Sequence, residues 1–452
     1  MPEAYEQTLN RGTLNELTLA LSRGMFVQVR NVLHNMPACD VAHLLESSPG
    51  KTRILFWDLI DTEFHGEILE ELSDDVRNSI IHQMMPEAVA EATEGMDTDD
   101  LADVLRNLPD QLYQEVLQAL DSQDRHRAEA ALAYEEYSAG SVMNTDTVTI
   151  RPNVSVEVVL RYLRMRSEIP KTTDTLYIVD EQDVLIGEVS LTALVTSQPE
   201  VIISELMNTD IVPIPATMPE SEAAILFERH NWISAPVVNE ENHLLGRITI
   251  DDMVDIIRED AEHSMMSMAG LDDEEDTFAP VVKSTQKRSI WLGVNLLTAL
   301  LAAMVSNLFE DVLGQLAVLA ILNTIVPSMG GVAGNQTLTL VIRAMALGHV
   351  SPSNTRSLMI KELTVGILNG IIWSVLIASV VGLWKQDLYL AIVIAFAMLM
   401  NMIAAGISGV AVPLILKKFK IDPALAGSVI LTTVTDIVGI FAFLGTASWL
   451  LM

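Results

Sequence analysis

The sequence predicts a mainly α-helical membrane protein whose N-terminal half is acidic and soluble. Three observations support this fold class. The 452 residues carry a net charge of −33, yet half of them are hydrophobic. From residue 290 onward the chain has six acidic and seven basic residues, so 54 of its 60 acids lie in residues 1–289. The acidic half contains an internal repeat, and five long apolar stretches occupy the remainder.

The acidic half disfavours nucleic acid as a partner, because affinity for nucleic acids comes from basic contacts to phosphate. It suits divalent cations or simple solubility. Cys39 is the only cysteine, so the chain forms no intrachain disulfide and no thiolate metal site. The start of the chain, MPEAYEQTLN, lacks the basic residues and apolar core of a signal peptide. We therefore expect residues 1–289 to remain in the cytoplasm.

Residues 1–137 are predicted to form a cytosolic helical domain, a superhelix of short amphipathic helices. Segments such as FVQVRNVLHNM and QLYQEVLQAL repeat apolar residues at spacings of three and four, which is the period of one helix face. Pro37, Pro86 and Pro109 lie between such segments and are expected to separate the helices.

An internal repeat predicts two α/β domains, at residues 138–200 and 201–262. The sequence VMNTD at 142–146 recurs as LMNTD at 206–210, a shift of 64 residues. Each copy continues with a short strand, an amphipathic helix, a strand pair and a closing helix. Two copies of one β–α–β–β–α unit are a more specific signal than either copy alone.

This repeat resembles a tandem pair of CBS domains, a regulatory module that often binds nucleotides or ions. The Gly-x-x-Thr-x-x-Asp pattern associated with ribose contacts is present in the second copy as Gly246, Thr249 and Asp252. In the first copy it is replaced by Gly187, Ser190 and Ala193. The resemblance implies a nucleotide such as ATP in one cleft only. The alternative is a paired domain that serves in dimerisation.

Five apolar stretches predict transmembrane helices in a domain at residues 290–452, which follows a connecting helical segment at 263–289. Each stretch is long enough to cross a bilayer, and they lie at about 290–309, 315–347, 362–384, 388–416 and 424–451. Lys283, Lys287 and Arg288 immediately precede the first span, and six more basic residues lie between the second and third or the fourth and fifth spans, whereas the opposite loops carry Lys385 alone. By the positive-inside rule, the N-terminus is cytoplasmic and the C-terminus is outside.

The last span carries one carboxylate, Asp436, near its middle. Counting from Pro423, it lies roughly 20 Å along the helix axis, and an acid at that depth costs on the order of 3 kcal/mol to insert. We interpret it as a cation ligand; the alternative is an acid hydrogen-bonded to Thr435 or to a neighbouring helix. The adjacent Thr432 and Thr433 suit hydrated Mg²⁺, which keeps several waters and binds few carboxylates. One acid per chain favours a two-fold dimer.

The second span contains the sequence PSMGGVAGNQ at 327–336. A proline and three glycines over eight residues disfavour a regular helix, so we interpret this run as backbone that opens to ligate or hydrate an ion. The alternative is close helix packing through small residues. For a similar run in the fourth span, with Gly406, Gly409 and Pro413, packing is the preferred interpretation.

The membrane half resembles the MgtE family of magnesium channels, bacterial relatives of the solute carrier 41 proteins. Three long segments carry the resemblance: GGVAGNQTLTLVIRAMALG (330–348), KELTVGILNG (361–370) and DPALAGSVILTTVTDIVGIFAFLG (422–445). The order of helical domain, CBS pair, connecting helix and five spans is also that of the family, so the resemblance covers essentially the whole chain. It implies a homodimer in the plasma membrane with a central pore for Mg²⁺, and not an enzyme.

The resemblance also implies the site residues. In the pore, Asp436 would hold hydrated Mg²⁺, and the further contacts would be Asn335, Gly330, Gly331, Ser428 and Thr432. Cytosolic Mg²⁺ would hold the pore closed through acids at Glu67, Asp99, Asp103, Asp252, Asp255 and Asp260. Their like charges would repel at low Mg²⁺, and bound ions would bridge them and shift a two-state equilibrium.

Four residues depart from the family pattern. Val332 stands where members commonly carry the asparagine of Gly-Gly-Asn, which removes one polar group from the pore side. Carboxylates are expected at the positions of Asn231, His263 and Ser264. Ion conduction is therefore better supported than Mg²⁺ selectivity or Mg²⁺ inhibition.

Three other functions compete with this interpretation. No residue of the sequence excludes the first alternative, a transporter of other divalent cations such as Mn²⁺ or Co²⁺. An intramembrane enzyme regulated by the CBS pair is disfavoured, because a zinc protease needs His-Glu-x-x-His and the last histidine, His349, lies in a loop. An aspartyl protease would need two aspartates per site, available only across a dimer. A non-conducting Mg²⁺ sensor fits the acidic half but leaves Asp436 unexplained.

Overall fold

A computed structural model of the chain describes residues 14–94, 96–166, 169–271 and 277–451. The N-terminal sequence MPEAYEQTLN and the acidic run at 272–276 lie outside the described residues. The chain divides into two compact units. The first consists of Met1–Asp260 with Glu274–Ala279, and the second consists of Ala261–Asp273 with Pro280–Met452.

The first unit begins, within the described residues, with ten short helices joined by tight turns. They are α1 (14–22), α2 (Phe26–Leu33), α3 (Ala38–Glu46), α4 (Gly50–Trp57), α5 (His65–Glu70), α6 (Asp74–Ile81), α7 (Pro86–Ala92), α8 (Thr98–Arg106), α9 (Asp110–Ala119) and α10 (Ser122–Leu132), with a 3-10 turn at Thr62–Phe64. Pro37 and Pro109 directly precede α3 and α9, and Pro86 opens α7. A proline at a helix start loses no needed backbone donor, so the prediction that these prolines separate helices is confirmed.

One apolar core holds these helices together. Leu45, Leu69 and Ile81 are fully buried in it, as expected for amphipathic helices that turn one face inward. Arg53 is also buried, and its guanidinium donates to the carbonyl oxygens of Leu45 at 2.9 Å and Ser48 at 3.2 Å. Because these carbonyls satisfy the buried charge, the core tolerates it.

Two three-stranded sheets follow, and they confirm the predicted β–α–β–β–α repeat. The first copy contains β1 (Thr149–Ile150), α11 (Val156–Met165), β2 (Thr175–Val179), β3 (Leu185–Ser190) and α12 (Leu191–Thr196), followed by a short α13 (Ile203–Leu206). The second contains β4 (Ile214–Pro215), α14 (Glu220–His230), β5 (Ser234–Val238), β6 (Leu244–Thr249) and α15 (Ile250–Met268). In each copy the first strand pairs parallel and the third antiparallel with the second strand.

Each of the two repeated Asn-Thr-Asp motifs pairs with the sheet of the other copy. Asn144, which precedes the first copy, exchanges backbone hydrogen bonds of 2.8 and 2.9 Å with Arg247 on β6. Asn208, which precedes the second copy, does the same with Glu188 on β3. A Cβ on Gly246 would lie 2.6 Å from the Asn144 carbonyl oxygen. This glycine therefore lets the exchanged segment approach the sheet.

The second unit contains the five predicted membrane helices. From residue 281 onward the described residues form seven helices, of which some are too short to span a membrane alone: α16 (Val281–Asn307), α17 (Glu310–Gln315), α18 (Ala317–Leu322), α19 (Ile325–Ala346), α20 (Thr355–Lys385), α21 (Leu388–Lys418) and α22 (Pro423–Leu451). Five segments of the described residues are long and apolar enough to cross a membrane, with α18 and α19 counted together. The first helix begins at Val281, earlier than predicted, and Asn323 and Thr324 interrupt the second span.

The predicted opening of the backbone at 327–336 is wrong. This segment lies inside the continuous helix α19. Pro327 is the third residue of that helix, where the backbone nitrogens have no intrahelical partner in any case. The glycines serve close packing instead: a Cβ on Gly334 would lie 2.9 Å from the Leu431 side chain of α22. Tertiary contact therefore outweighs the low helix propensity of glycine.

Close packing is confirmed for the fourth span. A Cβ on Gly406 would lie 2.9 Å from the Glu362 carbonyl oxygen of α20, and one on Gly409 would lie 2.7 Å from the Thr337 side chain of α19. Small residues let helix backbones approach closely, as is common between membrane helices. Helix α21 continues through Pro413 and packs against α19, α20 and α22. It is the central helix of the second unit.

The connecting helical segment predicted at 263–289 differs from the structure. Residues 263–268 are the end of α15, which starts at Ile250, and residues 281–289 are the beginning of α16. Gly270 follows α15 with a φ of 71°, in the left-handed region that glycine adopts without strain. This glycine ends the helix, so the segment is not one helix.

Candidate functional site

The last helix, α22, carries the predicted pore acid. Asp422 begins it by accepting hydrogen bonds from the backbone N–H groups of Ala424 at 2.9 Å and Leu425 at 3.2 Å. A carboxylate in this position satisfies helix donors and complements the helix dipole. The polar residues Ser428, Thr432 and Asp436 follow at intervals of four, which places them on one face of the helix.

Asp436 is half-buried and has no hydrogen bond or ion pair among the residues that the structure describes. The hydroxyl of Thr435 donates instead to the carbonyl oxygens of Leu431 at 3.1 Å and Thr432 at 3.0 Å. Within the described residues, neither Thr435 nor a neighbouring helix forms a hydrogen bond with this acid, so the alternative of a hydrogen-bonded structural acid gains no support. Thr432 donates to the Ser428 carbonyl at 2.8 Å, which leaves lone pairs on its oxygen for water.

Helix α19 faces α22 at the level of this acid. A Cβ on Gly331 would lie 3.9 Å from the Thr435 hydroxyl oxygen, with no closer contact. Asn335 lies one turn further along the same face and is half-buried, with no side-chain hydrogen bond among the described residues. Gly330 is turned towards Asn401 of α21. Val332 is 56% exposed. The ion-binding role of Asn335, Gly330 and Gly331 stays a prediction.

Two buried polar residues were missed by the sequence reasoning. Asn401 is fully buried in α21, and its amide donates to the Val326 carbonyl oxygen at 2.7 Å. Glu362 of α20 is 3% exposed; it accepts a hydrogen bond of 3.2 Å from the Thr337 hydroxyl and pairs with Lys361 at 3.0 Å. Both residues are polar side chains inside apolar spans, and that signal could have identified them.

His263 and Asn231, where carboxylates were expected, have other structural roles. His263 Nε2 lies 3.2 Å from Asp422 Oδ2, so the end of α15 contacts the residue that begins α22. Asn231 ends α14 with a φ of 54°. Asparagine tolerates this left-handed conformation better than most residues. Neither position supplies a carboxylate for a metal ion.

In the first unit, acids from the helical domain and from the second CBS copy lie close together. Asp99, in the first turn of α8, is 8% exposed, and its Oδ1 is buried with no hydrogen-bond partner among the residues that the structure describes. Asp252, in the first turn of α15, accepts hydrogen bonds from the Thr249 backbone N–H at 3.1 Å and hydroxyl at 2.9 Å. A 3.0 Å hydrogen bond between Thr98 and Thr145 joins α8 to the segment before the first CBS copy.

Burial and mutual repulsion raise the pKa values of these acids. Burial, followed by the charge of Asp252, raises the pKa of Asp99 well above its usual range. Burial and the charge of Glu70 raise the pKa of Asp100 to about 8. Burial raises the pKa of Asp103 to about 6 and that of Asp252 to about 6. Arg77 acts in the opposite direction on Asp100 and Asp103, and Asp103 pairs with Arg106 at 3.2 Å, so nearby cations offset part of the repulsion. A bound divalent cation would reduce it further.

The other predicted regulatory acids lie around this cluster. The charge of Asp255 contributes to the raised pKa of Glu259, and its carboxylate also pairs with Arg258 at 3.1 Å. Asp260 and Asp103 contribute to the raised pKa of Glu220, after burial. Glu67 is exposed and contributes to the raised pKa of Glu70. We define the acidic cluster as Glu70, Asp99, Asp100, Asp103, Asp252 and Glu259.

The predicted nucleotide residues meet at the end of β6. The Asn144 backbone approaches Gly246 closely, and the Thr249 hydroxyl forms hydrogen bonds with the carboxylates of Asp251 and Asp252. Asp252 thus belongs both to the predicted nucleotide pattern and to the acidic cluster.

A separate group, His34, Asp61 and Glu63, has ligand atoms within 4.8 Å of one another on the surface of the helical domain. Arg30 already pairs with Asp61, and its hydrogen bond lowers the pKa of that carboxyl. Two of its three residues are exposed, and exposed acidic groups are common without a bound ion, so this group carries no metal assignment.

The raised pKa values predict a pH dependence of the first unit. A group whose pKa is raised by folding binds more protons in the folded state, so stability falls as pH rises from about 4 through the folded pKa. Without Mg²⁺, we expect amide exchange in α8 and at the start of α15 to be more than tenfold faster at pH 8 than at pH 5.5, after correction for intrinsic rates. Mg²⁺ should slow exchange at pH 8 and have little effect at pH 5.5.

The control is Asp100→Asn, which removes the acid with the pKa of about 8 and should weaken the pH dependence. An equal effect of Mg²⁺ at both pH values would contradict binding to ionised carboxylates. Hydrogen–deuterium exchange followed by mass spectrometry on the purified protein makes this measurement.

Comparison with known proteins agrees with this architecture. Residues 323–446 match the MgtE family model, described as a divalent cation transporter, and residues 36–137 match the MgtE intracellular N domain. Residues 139–200 and 203–259 match the CBS domain. The chain is similar to magnesium transporters MgtE from Bacillus subtilis, at 29% identity over 96% of both chains, and from Thermus thermophilus, at 29% identity over 96% of this chain and 97% of that one.

A solved structure of a cytosolic domain of the Mg²⁺ channel MgtE in complex with ATP is also similar. It covers 54% of this chain and 99% of its own, at 31% identity and a TM-score of 0.50. With five candidate spans, the chain is a multi-pass membrane protein. The helical domain, the CBS pair and the helices that carry Asn335 and Asp436 are all matched, and the chain belongs to the MgtE family of transporters.

Proposed function

We propose that this protein is a Mg²⁺ transporter of the channel type that mediates magnesium uptake and is closed by cytosolic Mg²⁺. The observation that carries the proposal is Asp436, a carboxylate on a polar face of an apolar helix with no partner among the described residues. An intramembrane acid is costly and marks an ion pathway more often than a structural contact. The relatives named magnesium transporters support Mg²⁺ as the ion.

In the proposed pore, Asp436 attracts Mg²⁺ that keeps its water shell. Mg²⁺ loses water reluctantly, so the protein would contact it through waters rather than through a cage of its own oxygens. Thr432 and Ser428 on α22, and Asn335 on α19, would accept or donate hydrogen bonds to those waters. The absence of a side chain at Gly331 leaves room beside Thr435, where the nearest atom to a Cβ would be 3.9 Å away.

We propose that the protein functions as a homodimer in the plasma membrane, with its N-terminus in the cytoplasm and its C-terminus outside. Two copies related by a two-fold axis would bring two Asp436 carboxylates to one pathway. A pair of carboxylates neutralises one divalent ion. The distribution of basic residues between the spans supports the orientation.

The acidic cluster is the proposed sensor of cytosolic Mg²⁺. Without the ion, repulsion between Asp99 and Asp252 disfavours the contact between the helical domain and the start of α15. Bound Mg²⁺ would bridge these acids and stabilise the contact. Because α15 is one helix from Ile250 to Met268, movement at its start can reach His263, which contacts Asp422 of α22. Bound Mg²⁺ would thereby favour the closed state of the transporter over the open state.

ATP is a proposed second ligand of the CBS pair. The similar cytosolic domain of an MgtE channel was solved in complex with ATP. In this chain Thr249 and Asp252 are the residues proposed to contact the ribose, in the second copy only. Asp252 would then couple the nucleotide to the acidic cluster, because it belongs to both.

Uptake of divalent cations into proteoliposomes tests the proposed function. We expect Mg²⁺ to enter at least about tenfold faster than Mn²⁺ or Co²⁺, with influx suppressed when Mg²⁺ is also present on the cytosolic side. Equal influx of Mn²⁺ would favour the alternative of a broader divalent transporter. Vesicles that pass no divalent ion would favour a Mg²⁺ sensor. Repeating the assay with and without ATP tests the nucleotide.

A further inference from the structure

Asn401 is a polar residue at the centre of the second unit that the proposed pore does not use. It lies near the middle of α21, the most apolar of the five spans, and its side chain is fully buried. Its amide nitrogen donates to the Val326 carbonyl oxygen of α19 at 2.7 Å. Its amide oxygen, Oδ1, is buried without a hydrogen-bond partner in the described part of the chain.

A buried amide oxygen without a partner is unfavourable, and a leucine of similar volume would avoid that cost. Packing therefore does not explain asparagine at this position. The side chain is instead held in a specific place by its one hydrogen bond and by the two helices on either side. Buried polar groups of this kind can specify one arrangement of neighbouring helices.

Two glycines on different helices form the slot that holds the amide. A Cβ on Gly330 of α19 would lie 2.1 Å from Asn401 Nδ2, and a Cβ on Gly439 of α22 would lie 3.0 Å from the same atom. The second Cβ would also lie 3.2 Å from the backbone nitrogen of Pro327. Any side chain at either glycine would displace the amide, so the amide determines how closely α19 and α22 approach at this level.

The slot lies next to the proposed pore. Gly330 directly precedes Gly331, which faces Thr435 on α22. Gly439 follows Asp436 by three residues, a rise of about 4.5 Å along the helix axis. The spacing of α19 and α22 at the slot is therefore also their spacing beside Asp436.

We propose that Asn401 is a positioning residue that sets ion selectivity. Its carboxamide, bonded to Val326 and held between Gly330 and Gly439, fixes the distance between the two helices that carry the pore residues. A pore that holds an ion through its waters discriminates by the width available to the hydrated ion. Without the amide, α19 loses its fixed position relative to α22, and discrimination between hydrated Mg²⁺ and Ca²⁺, a larger ion with flexible coordination, weakens. This inference rests on the proposed function.

The test compares the ratio of Mg²⁺ to Ca²⁺ influx in proteoliposomes of wild-type protein, Asn401→Leu and Ser374→Ala. We expect Asn401→Leu to lower the ratio by about fivefold, the factor that corresponds to the free energy of one lost hydrogen bond. Ser374 is also a buried polar residue of a span, but its hydroxyl donates to Ile371 of its own helix at 3.0 Å. Ser374→Ala should leave the ratio unchanged, because that bond joins no two helices.

A second pair of variants keeps the test decisive if Asn401→Leu does not fold. Gly439→Ala introduces a Cβ 3.0 Å from the amide and should lower the same ratio, and adding Asn401→Ala should lower it no further, because both changes act on the same contact. If the wild-type protein conducts, an unchanged ratio of Mg²⁺ to Ca²⁺ influx in both Gly439→Ala and folded Asn401→Leu would overturn the role of Asn401. Wild-type protein that conducts no divalent ion would instead contradict the proposed function.

Discussion

Asp436→Ala is expected to abolish Mg²⁺ uptake in a strain that depends on added Mg²⁺, although the protein still reaches the membrane. The carboxylate has no partner within the described part of the protomer, so its removal breaks no internal contact. It also removes an insertion cost on the order of 3 kcal/mol. We therefore expect thermal stability to be equal or higher, and influx into proteoliposomes to fall by about a hundredfold, as for the loss of a charged hydrogen-bonding partner. Asp436→Asn should behave similarly, because it keeps the shape and removes the charge.

The matched control is Asp387→Ala, at the start of α21. This carboxylate accepts hydrogen bonds from the N–H groups of Tyr389 at 2.9 Å and Leu390 at 3.1 Å. Its removal should lower stability by about 1 kcal/mol, the usual effect of losing a helix cap, and leave uptake intact. The two variants thus have opposite signatures. Full growth of the Asp436→Ala strain without added Mg²⁺ would remove the pore assignment.

Neutralising Asp99, Asp103, Asp252 and Asp255 together, each to asparagine, is expected to leave the transporter open at millimolar cytosolic Mg²⁺. In wild-type protein we expect such Mg²⁺ to reduce influx by at least about tenfold, because bound ions favour the closed state. The variant should respond by less than about twofold. Asparagine keeps an oxygen that can accept the hydrogen bond from Thr249, so the start of α15 is preserved.

Patch-clamp currents recorded at zero and millimolar cytosolic Mg²⁺ make this comparison. The control is the double variant Glu240→Gln and Glu241→Gln, which removes two exposed acids from the turn between β5 and β6. It should close like wild-type protein, since these acids contribute to none of the shifted pKa values in the cluster. Unchanged closure in the quadruple variant would mean that regulation lies elsewhere in the chain.

The elements were largely predictable, because each depends on a local pattern. Apolar residues at spacings of three and four predicted the N-terminal helices, and the prolines at their starts separated them. The 64-residue repeat predicted two equivalent sheets, and both have the same strand order. The spans were recognised by length and composition alone, since a bilayer demands about twenty apolar residues from any helix that crosses it.

The misses have one physical cause. At 327–336 glycine propensity argued against a helix, but Gly334 and its neighbours pack against α21 and α22, and these contacts outweigh the local preference. Asn401 could have been identified as a polar residue of an apolar span, but its contacts with two glycines that are 71 and 38 residues away in sequence could not. A sequence pattern describes what a segment prefers and contains no information about which distant backbone will lie beside it.

The sequence by itself determined that this chain has an acidic half, a duplicated α/β unit, five apolar spans and one deep carboxylate, because charge, period and hydropathy are properties of single segments. The tertiary structure decided which polar groups have partners. It brought Asp99 to Asp252 so that their charges repel, left Asp436 without a partner among the described residues, and placed Asn401 between two glycines. Such differences arise from burial and distance, which only the folded chain sets.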